Sequence, residues 1–456
     1  MRTRIVAVAV ALLGLFGLLA GVQAYWQVVA ADALCHSPYD QRVKLRRRLA
    51  VPGHLQDADG EPLLRPVPVN SGWTYRYTHP EAFCHLTGYN ERTGLRAKLE
   101  SALLGEGRWA DWHDRFANPR PRGCDVELTI PAELQEAAVN ALGAHAGCAL
   151  VLRLADGATL AAVSRPGFDP VAVGADPAQR EIAETDPDEP LVFKPLQKLY
   201  RPGWAMAWVT AGAALASGDA HAAEGLLCEG AARFGRKLYH CSDVHGRLTL
   251  EQALRRRCKI AVQKAAERVG AEKYRSFVKK VHLLDQANFF LPSEAGKLPD
   301  LFNWRARENL AETAIGDGAV RLTPLQVARY FLAVGQGGEV VQPYLVAQVM
   351  RPGGKPALVG EGKSLGRGMS SQVAETLGGW LADTAEGLFA DGLGQPPGAG
   401  VAWWVPRGGH HPDGQAWFVA LDPWPQPRYL VLVLVERAQG EQEAVEAGQR
   451  LLNYVR

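Results

Sequence analysis

The sequence predicts an α+β chain of the αβα kind, a mostly antiparallel sheet between helices, behind a small N-terminal domain and one membrane helix. Three observations carry this. Residues 5–22 form an uncharged apolar run. Strand-like stretches with turn residues between them lie at 125–130, 148–154 and 159–163, and again at 415–421 and 429–435. Helical-period segments separate the two groups, chiefly 199–215 and 248–270.

The chain has 456 residues and is 47% hydrophobic, enough for two or three domains at roughly 100–200 residues each. Lys+Arg 50 against Asp+Glu 48 gives a net charge of +2 and no excess that points to nucleic acid. Arg2 and Arg4 precede the apolar run, which continues through Tyr25 and Trp26 to Ala31 with only Gln23 and Gln27 as polar breaks. About 20 helical residues cross a bilayer core, so the run is long enough. Its positive end is expected to stay in the cytoplasm and the remainder to be exported. A cleaved signal peptide is the alternative, because Val22-Gln23-Ala24 loosely matches a cleavage site. The run exceeds a signal core in length, so residues 1–31 are expected to be an uncleaved anchor.

Export permits disulfides, and there are seven cysteines. Cys228 and Cys241 flank a turn at Phe234-Gly235-Arg236 and are the expected pair. Cys124 with Cys148 and Cys35 with Cys84 are further candidates, leaving Cys258 over. None of these spacings resembles a zinc site, and no metal or cofactor is expected.

Taken in order, residues 41–48 are a basic stalk, and Asp59-Gly60 is a tight turn between two short apolar stretches. Small elements follow to Gly105. A loop rich in Pro, Arg and Asn at 117–123 makes 32–123 a stalk with a compact pedestal and 124–456 the main domain. In the latter, Pro131 stands at the first turn of an amphipathic helix over 132–142, and Asp156-Gly157 turns a hairpin. Residues 181–190 are acidic and expected to be loop. Pro202-Gly203 feeds a buried helix. Arg255, Arg256, Arg257 and Lys259 give the 248–270 helix a charged face. A last helix is expected over 441–452.

Together these stretches resemble the class B penicillin-binding proteins, the membrane-anchored D,D-transpeptidases, in their short form with a small pedestal. Thr87-Gly88-Tyr89 with Gly94-Leu95 resembles the pedestal signature. Leu128-Thr129-Ile130 with Leu134-Gln135 resembles the entry to the transpeptidase domain, and Val163-Ser164-Arg165-Pro166 with Phe168-Asp169-Pro170 its first hairpin. Ala314-Ile315-Gly316 through Thr323-Pro324-Leu325-Gln326 to Gly337-Gly338 is the most specific match, and Ala416-Trp417-Phe418 resembles the sheet edge beside the active site. The resemblance implies a penicillin-binding transpeptidase fold of the serine β-lactamase kind, anchored by a single span in a bacterial inner membrane with most of the chain on the periplasmic or extracellular side. It also implies a SEDS-type glycan polymerase of the FtsW/RodA kind as partner, peptidoglycan as a further partner, and a role in cell-wall synthesis during division or elongation.

The family's chemistry needs a Ser nucleophile with a Lys one helical turn later. In the matching Tyr-x-Pro-Gly stretch these positions hold Trp204 and Ala207. The second motif, Ser-x-Asn, aligns with Arg257-Cys258-Lys259. The third, Lys-Thr-Gly, aligns with either Pro406-Arg407-Gly408 or Trp404-Val405-Pro406, and neither has the Lys. No Lys-Thr-Gly or Ser-x-Asn triplet occurs anywhere in the chain. No catalytic residue is expected, and the primary expectation is a non-enzymatic partner of the polymerase. The alternative is a non-covalent binder of a peptidoglycan peptide or β-lactam, with Arg257, Lys259 and Arg407 holding a carboxylate. An active transpeptidase with a rearranged site comes third.

Four further features have two readings each. Ser276-Phe277-Val278-Lys279 spells Ser-x-x-Lys, but in a charged helix that reads as a solvated face. Cys258 between two cations suits a reactive thiol, yet it lacks a positioned base, and the family often buries a Cys there. His410, His411 and Asp413 suit a metal or a plain loop, and the loop is preferred. Trp204, Trp208, Trp403 and Trp404 suit an aromatic cage or an apolar plug, and the plug is preferred.

Overall fold

A computed structural model describes residues 2–29, 50–70, 72–110, 122–218, 225–287, 289–388, 399–405 and 414–456. The first helix, Arg2–Ala24, overlaps an apolar segment, Arg4–Gln27, with mean hydropathy 2.7 and none of it buried. It is long and apolar enough to cross a membrane, a character that signal sequences share.

The main sheet has five antiparallel strands in the order Ala399–Val405, Gly414–Asp422, Tyr429–Ala438, Gly147–Arg153, Thr159–Arg165. Its central strand reads YLVLVLV because both faces are covered. Leu430, Leu432 and Leu434 pack into one core with the central helix, Ala205–Ala216. Val431, Val433 and Val435 pack into the other with helices Ala132–Leu142 and Gln442–Val455. The last helix lies so close that a methyl on Gly448 would sit 2.1 Å from Phe418 Cδ1.

A second sheet has the order Pro356–Val359, Val346–Met350, Asp125–Leu128, Leu55–Gln56, Pro62–Val69, Gly72–Tyr77. It therefore joins strands from both sides of the boundary expected at 123/124. Leu55 pairs in parallel with Val126 across it.

Three local expectations need correction. Pro131 is the N-cap of helix Ala132–Leu142 rather than a residue of its first turn. The acidic stretch expected as loop begins inside helix Pro177–Thr185, where Asp176 caps the N-terminus and Pro177 fills the first position. The helix expected over 248–270 is two, Leu250–Arg255 and Lys259–Val269, broken where Arg257 takes φ 52°.

Where the sheet meets the Tyr-x-Pro-Gly turn, a buried polar network replaces apolar packing. Glu436 ends the buried run of the central strand, and its carboxylate receives Lys194 Nζ at 3.0 Å, Lys198 Nζ at 2.7 Å and the Tyr200 hydroxyl at 2.8 Å. Lys194 is wholly buried and also donates to Arg165 O. Burial alone raises the Glu436 pKa, but the Lys194 charge and the Lys198 and Tyr200 bonds outweigh it and hold the group below the ordinary 4.5.

Glu436→Gln leaves Lys194 buried without its counter-charge, and chemical denaturation is expected to show a loss of about 3–5 kcal/mol. Because the folded pKa is depressed, the carboxylate contributes stability above the unfolded value of 4.5 and loses it as pH falls below that. The wild-type chain is expected to show this acid-side loss and the Gln variant to lack it.

Candidate functional site

The Tyr-Arg-Pro-Gly turn is held from below by backbone. Tyr200 N donates to Leu322 O at 2.9 Å and Leu322 N to Tyr200 O at 3.0 Å. Gly203 adopts φ 54°, and a methyl on Gly316 would lie 2.0 Å from Gly203 O, so the Ala314-Ile315-Gly316 block needs its glycine to seat the turn. The Tyr200 ring meets Trp417 edge-on at 6.0 Å, which ties the turn to the sheet.

The central helix starts directly after. Trp204 is its N-cap, has no side-chain cap bond and is 8% exposed; Ala207, one turn on, is wholly buried. The only hydroxyl on this helix, Thr210, lies 2.8 Å from Met206 O and 3.0 Å from Ala314 O, two carbonyls that engage its proton. The Tyr330 hydroxyl donates to Trp208 O at 2.8 Å. Trp208 is 1% exposed, a core residue rather than one wall of an aromatic cage.

At the break between helices Leu250–Arg255 and Lys259–Val269, Arg257 and Lys259 point outward and Cys258 is buried. The Arg257 guanidinium grips Glu441 with bonds of 2.7 and 3.0 Å, so one group expected to hold a ligand carboxylate already holds a carboxylate of this chain. The strand before Trp417-Phe418 is Ala399–Val405, with Trp403 opposite Trp417 and Trp404 opposite Ala416. Pro406, Arg407, Gly408, His410, His411 and Asp413 lie outside the described residues. Ser276 and Lys279 are exposed on helix Ala271–Lys280, a solvated face.

The expected Cys228–Cys241 disulfide is not formed; both are thiols. Cys148 is also a thiol, which rules out its bridge to Cys124, and Cys84 donates its S–H to Glu81 O. Cys35 lies outside the described residues. Cys228 and Cys241 instead gather with Cys258 and His245, the four donor atoms all within 4.8 Å of one another. Burial raises the Cys241 thiol, but hydrogen bonding from the backbone at Asp243 and Ile260, from the Cys258 side chain and from the backbone at Lys259 reverses this and brings it down to about 6. Burial pushes Cys258 up.

Residues 147–453 match the penicillin binding protein transpeptidase domain. The chain belongs to this family. It is 28% identical to the peptidoglycan D,D-transpeptidase PbpA of Mycolicibacterium smegmatis, over 96% of this chain and 94% of the relative. Penicillin-binding protein A of M. tuberculosis, solved as an imipenem acyl-enzyme, superposes with a TM-score of 0.80 at 24% identity, covering 90% of this chain and 99% of that one. Pseudomonas aeruginosa PBP2 superposes with a TM-score of 0.76 at 21% identity, covering 89% and 95%. The fold is the mixed α+β transpeptidase fold, and the family role lies in peptidoglycan synthesis.

Trp204 and Ala207, the positions that the Tyr-x-Pro-Gly turn leads one to expect for nucleophile and base, hold a nearly buried indole and a wholly buried methyl. The strand before Trp417-Phe418, AGVAWWV, has neither Lys nor Thr; of the two expected third-motif positions, Pro406-Arg407-Gly408 lies beyond it and Trp404-Val405-Pro406 extends beyond it, into residues outside those described. Sequence reasoning missed Lys194, Lys198, Tyr200 and Glu436 as a unit. The available signal was an acidic residue directly after the apolar run of residues 429–435. It also missed His245, which sits in a polar loop and was not counted beside the cysteines.

Ala207→Lys puts an ammonium where no side-chain surface is exposed. The variant is expected to lose about 3 kcal/mol or more in thermal or chemical denaturation. An unchanged stability would mean that the site is open rather than plugged.

Proposed function

We propose that this chain is a catalytically inactive penicillin-binding protein that acts as a non-enzymatic partner of a SEDS-type glycan polymerase in peptidoglycan synthesis. The observation that carries this reading is the pair Trp204 and Ala207, both buried at the head of an otherwise conventional central helix. A transpeptidase needs an exposed nucleophile with a base in hydrogen-bond reach, and neither position supplies one. The second and third motifs add no replacement, since Arg257 is engaged by Glu441 and the sheet-edge strand has no Lys.

The relatives named above are D,D-transpeptidases; their chemistry does not transfer to residues that cannot perform it. What does transfer is the scaffold. The apolar N-terminal helix serves as a single-pass inner-membrane anchor, with the folded remainder outside the cytoplasm, where it meets a membrane polymerase. The non-covalent pocket reading is weaker, because Trp204 fills the position where a substrate carbonyl is attacked and Arg257 is already paired.

The test is reconstitution of the full chain in liposomes with the SEDS-type polymerase of the same genome and a lipid-linked glycan precursor. Longer or more abundant glycan strands without cross-links are expected, together with co-purification of the two proteins. Cross-linked product from this chain, or no effect on the polymerase and no co-purification, would overturn the proposal.

A further inference from the structure

The four-residue sulfur and imidazole cluster has no part in the reading above. Its donors come from separate elements: Cys228 ends strand Leu226–Cys228, Cys241 follows strand Lys237–His240, His245 precedes strand Gly246–Leu248, and Cys258 caps helix Lys259–Val269. The strands form two nested hairpins. Leu226–Cys228 pairs with Gly246–Leu248, and Ala231–Phe234 with Lys237–His240 inside it. Few apolar side chains are buried in this insert, chiefly Leu226, Phe234 and Leu248. Hairpins with so small a core need a staple.

The distances decide which staple. Cys241 Sγ and Cys258 Sγ are 3.8 Å apart, whereas a disulfide needs about 2.0 Å. His245 Nδ1 lies 3.5 Å from Cys241 Sγ and 3.7 Å from Cys228 Sγ. A tetrahedral zinc with Zn–S of about 2.3 Å and Zn–N of about 2.0 Å has sulfur–sulfur edges of about 3.8 Å and sulfur–nitrogen edges of about 3.5 Å. These three edges match such a polyhedron.

We propose that Cys228, Cys241, His245 and Cys258 form a closed tetrahedral site for one structural Zn²⁺, fastening the nested hairpins to the loop that carries the degenerate second motif. Three thiolates and one neutral imidazole are a borderline-soft donor set that suits zinc, and four protein ligands leave no open position for catalysis. Binding releases three thiol protons to solvent and leaves a complex of net charge −1, with no electron transferred. Arg257 and Lys259, on either side of Cys258, supply positive charge beside it. Cys258 is then kept at the middle of a motif whose flanking residues have changed because it holds metal. In an exported chain the ion also keeps three neighbouring thiols from oxidation.

The experiment uses the full chain, purified in detergent without chelator. Elemental analysis is expected to find one zinc per chain and no stoichiometric iron or copper. Cobalt exchange is expected to give thiolate-to-cobalt charge-transfer bands with the intense visible bands of a tetrahedral ion. Titrating the wild-type thiols with an organomercurial is expected to release the zinc to an indicator dye, a readout that needs no variant to fold. Cys258→Ser and His245→Gln are expected to weaken zinc retention by roughly tenfold or more, while Ser276→Ala leaves it unchanged. A metal-free chain with free thiols, a Cys228–Cys241 disulfide in the native protein, or stoichiometric iron or copper would each overturn the assignment.

Discussion

The Glu436 carboxylate is the interaction on which the rest of the site depends. It closes the central strand of the main sheet and gathers Lys194, Lys198 and Tyr200 from the segment just before the central helix. A buried charge of this kind adds little net stability when paired, but removing one partner is strongly destabilising, so it fixes one arrangement over its neighbours. Here it fixes where the Tyr-Arg-Pro-Gly turn sits against the sheet. The orientation of the central helix, and hence the position of Trp204, follows from it.

On the function proposed above, the transpeptidase fold is kept and the chemical groups at the aligned positions are what changed. An indole now fills the start of the central helix, a methyl the next turn, and an internal ion pair between Arg257 and Glu441 crosses the second-motif loop. Each residue is compatible with its surroundings: Trp204 is nearly buried, Ala207 is apolar and wholly buried, and Arg257 has a carboxylate.

Much of the fold was legible because both sheet faces are covered. The Leu and Val alternation of residues 430–435 and the apolar run of 148–152 identify strands whichever face is considered. Helix Ala132–Leu142 was readable from its period, and the buried helix Ala205–Ala216 from the Pro-Gly turn and the apolar run after it. The helix break at Arg257 was not, because a positive φ at a non-glycine residue is imposed by tertiary contacts and leaves no pattern. Nor was the Glu436 network, whose carboxylate lies more than 230 residues from its three donors in sequence. The cysteine cluster was misread for a related reason. Two cysteines around a turn suggest a disulfide locally, and only the fold brings His245 and Cys258 to the same point.

The most direct measurement is intact-mass spectrometry of the purified full chain after incubation with benzylpenicillin, beside an active transpeptidase of the family. This account predicts an unchanged mass for the chain and an acyl adduct on the control. An adduct that survives denaturation, mapped to Ser276, Cys258 or any other residue, would show that a nucleophile operates in this fold and would contradict the account.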